Sequence, residues 1–124
     1  MADIRSPFVG NIEDANDFKP STHSAGGHAT SWSKPIPASQ RYGRVFSGVW
    51  VAEPGLYQSS GHSYSETFVV FEGAGIFSMD GCEPVAIKPG GIVYVPSDTP
   101  SSFKVIRKVC KFFTQVFVDD IDEA

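Results

Sequence analysis

The chain of 124 residues is long enough to bury roughly two-thirds of its unfolded surface as one domain, so it can hold its own core without a staple. A formal net charge of −4, with no window rich in Lys or Arg, argues against a nucleic acid or an anionic membrane surface as partner. No apolar run approaches the ~18 residues needed to span a bilayer, and twelve Gly and nine Pro beside 13% aromatics favour short strands joined by tight turns, an all-β composition.

Residues 1–44 hold little periodic pattern and are rich in Ser, Gly, Pro and Asn, with only residues 12–18 able to make a helical turn. Because Phe8, Phe18, Trp32 and Ile36 punctuate this stretch, it is expected to be an irregular arm packed on the barrel or on a second subunit. His23 and His28 lie within it and read as exposed loop histidines. From Val45 the pattern changes to strands, predicted at 45–52, 57–62, 66–72, 75–79, 85–87, 92–95, 102–106 and 111–118. Turn signals separate them at Glu53-Pro54-Gly55, Glu72-Gly73, Asp80-Gly81, Lys88-Pro89-Gly90-Gly91 and Pro96-Ser97-Asp98. Residues 119–124 form an acidic tail. Such punctuation predicts a single jelly-roll β-barrel over 45–118. Cys82 and Cys110 lack Cys-x-x-Cys spacing and no apolar leader precedes them, so both are expected to be reduced thiols in a cytoplasmic protein.

The most informative segment is Ser-Gly-His-Ser-Tyr-Ser-Glu-Thr-Phe-Val-Val-Phe-Glu-Gly at residues 60–73. In an extended chain alternate side chains share a face, so Ser60, His62, Tyr64 and Glu66 are predicted to point one way, followed on that face by Phe68 and Val70. The row begins polar and ends apolar, as expected of a strand that runs inward from one mouth of a barrel. A buried His and a buried Glu are costly unless paired with each other, a metal or a ligand.

These residues resemble the cupins, small β-barrels with two signature motifs. In G-x5-H-x-H-x3,4-E-x6-G, Glu66 and Gly73 match, His62 takes the second histidine position, Ser60 the first, and Gly55 is the opening glycine, one residue close. In G-x5-P-x-G-x2-H-x3-N, Gly90 and Pro96 match, while Asp98, Ser101 and Val105 stand at the glycine, histidine and asparagine positions. Gly48-Val49-Trp50, Glu66-Thr67-Phe68 and Arg107-Lys108-Val109 are similar to the ureidoglycine aminohydrolase-like branch, which includes ethanolamine-utilisation cupins.

The resemblance implies a metal shell of three His and one Glu, of which this chain keeps His62 and Glu66. No cofactor is expected; a metal, if held by those two, would be Mn, Fe, Ni or Zn at partial occupancy. As catalytic candidates Glu66 is the general base, His62 the acid and Tyr64 a phenol donor. Ser60, Trp50, Tyr57, Phe68, Tyr94, Ser101 and Phe103 are candidate ligand contacts, the aromatics serving equally well as core. Lys108 is either a solvated strand-end charge or long enough to reach a carboxylate at the barrel mouth. Three functions stay open: a hydrolase or isomerase acting on a small polar metabolite, a non-catalytic ligand-binding or sensor barrel, and a structural homodimer with a vestigial pocket.

Overall fold

A computed structural model describes residues 18–20, 31–36 and 44–117, and its strands, all antiparallel, form one continuous hydrogen-bonded sheet folded into a jelly roll. The predicted helical turn up to residue 17, Phe8, His23, His28, Val118 and the acidic tail lie outside the described residues. Among the described residues the strands are β1 (Lys19–Pro20), β2 (Ser31–Pro35), β3 (Val45–Ala52), β4 (Gly55–Ser59), β5 (Tyr64–Met79), β6 (Val85–Ile87), β7 (Ile92–Val95) and β8 (Ser101–Phe117). No helix is long and apolar enough to cross a membrane among these residues.

Two long strands organise the fold. β5 and β8 pair along nearly their whole length, from Tyr64 opposite Phe117 to Met79 opposite Ser101. The first half of β5 also pairs with β7 and the second with β6, while β8 pairs with β4 through its first half and with β3 through its second. Each long strand therefore passes from one sheet layer to the other, which requires a local bend. The bend lies at the register shifts between Val70 and Gly75.

Four predicted strands are thus two. Glu72-Gly73 read as a turn between 66–72 and 75–79, but Gly73 with φ of 92° sits within a continuous β5 as part of a bulge. A bulge and a turn share the same local chemistry, a residue at positive φ, and only the partner strand distinguishes them. In the same way 102–106 and 111–118 merge into β8, because Arg107-Lys108 is exposed within a strand whose ladder continues. The sheet also begins earlier than the strand pattern did. Ser31–Pro35 adds to β3, and Pro35 is accommodated because β2 lies outside the central pairs.

The core forms between the layers. Trp50, Tyr57, Phe68, Phe77, Phe103 and Phe113 are buried, with Phe77 edge-on to both Phe68 and Phe103 at ring separations of 5.5 Å. Edge-to-face contacts of this kind add specificity to area burial. The two cysteines are free, Cys82 exposed and Cys110 buried.

Candidate functional site

The inward face of β5 carries Tyr64, Glu66, Phe68 and Val70, and its partner β8 carries Lys111, Phe113 and Gln115 inward beside them. Together with β3 and β4 they enclose a cavity of about 110 Å3, open at one end, also lined by Trp50, Tyr57, Ser59, His62, Ser101 and Phe103. At its centre the Lys111 Nζ donates to Glu66 Oε2 at 2.8 Å, and Gln115 Nε2 donates to Glu66 Oε1 at 3.0 Å. The ion pair is largely desolvated, with side-chain exposures of 12% for Lys111 and 15% for Glu66. The ammonium also lies 3.9 Å from the Phe68 ring centroid and 4.7 Å from that of Trp50, a cation–π contact on two faces.

At the mouth, His62 Nε2 and Ser59 Oγ are 2.9 Å apart, and Ser59 Oγ accepts the Gly61 N–H at 3.0 Å. Two further contacts hold His62: the Asp98 N–H donates to its carbonyl oxygen at 2.8 Å, and its ring stacks on Tyr64 at 4.5 Å. The Tyr64 ring in turn leans on Phe117 at 5.0 Å. Burial first, and the Glu66 carboxylate second, push the Tyr64 phenol well above its ordinary value of 10.0, so it acts as a donor.

Burial on its own raises the Glu66 carboxyl, but the Lys111 charge, the hydrogen bonds from Lys111 and Gln115, and His62 outweigh it and hold the group below its ordinary value of 4.5. Among the groups that lower it, the Lys111 charge comes first and the His62 imidazole last. A depressed folded pKa contributes stability that is present above the unfolded value and is lost as pH falls through the folded one. The melting temperature of the wild type is expected to hold down to about pH 4.5 and then fall, whereas Glu66→Gln should show a shallower acid decline. Thermal denaturation across this range measures it, and parallel declines in both proteins would remove Glu66 from the account.

Two expected site positions need correction. Ser60 is exposed and does not line the cavity; Gly61, with φ of 119° and packed against the Asp98 backbone, breaks the alternation, so that Ser59 faces the cavity in its place. His62 consequently precedes β5 instead of belonging to it, yet the turn still delivers its ring to the mouth. Tyr94 is 56% exposed on the outer face opposite Thr67, because Val93 and Val95 take the inward positions of β7. Trp50, Tyr57, Phe68, Ser101 and Phe103 do line the cavity, and the four aromatics among them are also core. Lys108 remains outside, 60% exposed and 3.8 Å from Glu53. The lysine that reaches the buried carboxylate is Lys111, with Gln115 the other missed residue. One signal for both was available, since a buried glutamate requires a cation or donors from a facing strand, but 111–118 carries polar and apolar residues at both parities.

Residues 40–113 match the model of the EutQ-like cupin domain. The chain belongs to the EutQ-like cupin domain family. Solved structures share the fold: the EutQ protein of Clostridium difficile at 17% identity, covering 82% of each chain with a TM-score of 0.65, and an ethanolamine utilization protein Q from Salmonella typhimurium at 16% identity, covering 80% of this chain and 77% of the other with a TM-score of 0.67. Ectoine synthase from P. lautus is similar at 13% identity over 94% of this chain and 85% of the other, with a TM-score of 0.69. No curated protein matches the chain in sequence.

Among the described residues, the groups around Glu66 do not fit a metal ion of the kind that the resemblance to cupins implies. Among the described residues no group of three or more His, Cys, Asp and Glu is placed to hold one. Both oxygens of Glu66 accept hydrogen bonds, one of them from an ammonium that already stands where a cation would bind. A metal at Glu66 would have to displace a like charge.

Proposed function

We propose that this EutQ-like cupin is a small-molecule binding barrel whose pocket recognises a small polar metabolite with protein groups alone. The observation that carries this reading is the Glu66–Lys111 pair, desolvated at the centre of an open cavity and fixed by Gln115 and two aromatic faces. Ligand pockets of this type combine apolar walls with a few placed polar groups. Here Trp50, Phe68 and Phe103 supply the walls, and Ser59, His62, Tyr64 and Ser101 supply hydrogen-bonding groups toward the mouth. The size of the cavity limits the ligand. An apolar cavity of about 150 Å3 holds benzene, so about 110 Å3 suits a molecule of fewer than six heavy atoms.

Binding is favoured over a general-base reaction at Glu66 because a carboxylate held below its ordinary pKa is a weak base near neutrality. The expected result is that a polar compound of this size, present at 100 times its Kd, raises stability by about 2.7 kcal/mol, or roughly 10 °C in Tm for a domain of this length. Differential scanning fluorimetry against a panel of such compounds tests it. Absence of any stabiliser in the panel would overturn the assignment.

A further inference from the structure

We propose that the outer face of the layer formed by β3, β8, β5 and β7 is a self-association surface, on which a second copy of this chain packs about a two-fold axis. The face is separate from the pocket, which uses the other side of the same strands. Where Glu66, Phe68, Lys111 and Phe113 point inward, their sequence neighbours point outward and meet across the strands in register. One cross-strand row runs Val49, Phe112, Val69, Ile92, and the next runs Ser47, Thr114, Thr67, Tyr94. The first row is wholly apolar, from a buried Val49 at one end to an Ile92 that is 73% exposed at the other. In the second, Ser47 Oγ and Thr114 Oγ1 lie 2.9 Å apart and bond to each other, so these hydroxyls can leave water without losing a partner.

Charge selects the occupant. The outward positions within 45–51, 65–69, 92–95 and 112–116 carry no charged residue, although the chain has a net charge of −4. The row Leu56, Lys104, Ile76, Ala86 across the opposite layer, by contrast, has an exposed lysine near its centre. A charged partner finds no counter-charge on the uncharged face, whereas two copies meet there with no like charges to repel. The area agrees with this. Four strands about 4.8 Å apart and about seven residues long project roughly 400 Å2, within the ~300–600 Å2 of the largest apolar patches on monomers, which mark interaction sites. Side-chain relief brings the accessible area toward the ~600 Å2 per partner at which specific interfaces begin. Sheets pack face to face by interdigitating such rows, and an isologous contact sets the same rows of two copies against each other. Because the β5–β8 pair supplies both surfaces, the partner braces from behind the register that sets Lys111 on Glu66.

Sedimentation velocity of the full chain tests this. The wild type is expected to run as a dimer at micromolar concentration. Ile92→Lys and Phe112→Lys each place a charge in the contact, twice by symmetry, and should weaken association by about a hundredfold or more. Far-ultraviolet circular dichroism should be unchanged in both, since each position is exposed in the single chain. Leu56→Lys, equally exposed but on the opposite layer, should leave the dimer intact. If the lysine variants lose their fold, Phe112→Thr, which suits a strand and removes the ring, should still weaken the dimer by about tenfold. A wild type that stays monomeric overturns the proposal, whether or not the pocket binds a ligand. A dimer that survives both Ile92→Lys and Phe112→Lys, or one that Leu56→Lys dissociates, overturns it too by placing the contact elsewhere.

Discussion

Replacing Lys111 by Met is expected to destabilise the protein by about 3 kcal/mol, lowering Tm by roughly 10 °C, because it leaves the Glu66 carboxylate buried without its counter-charge. The substitution keeps an unbranched apolar stem between Trp50 and Phe68, so the loss reads the charge and not the packing. Adding Glu66→Gln to Lys111→Met should return most of the lost stability, since removing both members of a buried pair costs far less than removing one. Chemical denaturation of the two single variants and the double variant forms a complete cycle. A loss below about 1 kcal/mol in Lys111→Met would show that the pair behaves as an exposed one and that the pocket is wetter than its geometry indicates.

Gly73→Ala is expected to cost about 3 kcal/mol, from a residue that touches no ligand. At φ of 92° an L side chain is strained, and a Cβ built there falls onto the carbonyl oxygen of Lys108 in the facing strand. Backbone strain of this sort costs about 1–2 kcal/mol and the forced separation of two strands a further 1–3 kcal/mol. The position matters to the site because the bulge around Gly73 switches the inward parity of β5. Before it the even positions Glu66, Phe68 and Val70 face the core, and after it the odd position Phe77 does. Loss of the bulge would therefore send one half of the strand's core set to solvent. Equilibrium unfolding measures the effect, and Gly81→Ala serves as the comparison: it has a similar φ of 86° but nothing within 4 Å of its Cβ, so it should carry the strain alone. Equal losses at the two glycines would show that the contact with β8 adds nothing.

Much of this site could be read in the linear chain. Alternation placed Tyr64, Glu66, Phe68 and Val70 on one face, and the spacing of Glu66 to Gly73 and Gly90 to Pro96 carried the resemblance to the cupins that the match over residues 40–113 bears out. Local rules reached this far because strand parity and turn chemistry are properties of a few consecutive residues. They failed where one residue at positive φ altered the count. Gly61 exchanged Ser60 for Ser59 at the mouth, and Gly73 joined two predicted strands into one.

The sequence by itself determined an all-β single domain and the inward face of β5 from Tyr64 to Val70. Only the tertiary structure decided what neutralises the Glu66 carboxylate. Lys111 and Gln115 lie 45 and 49 residues from Glu66, and no local signal distinguishes Lys111 from the exposed Lys108 three positions earlier. Their separation arises from the register of β8 against β5, which turns one lysine toward solvent and the other over Phe68 into the cavity. Register is a relation between two distant segments, fixed when both bury their apolar faces together.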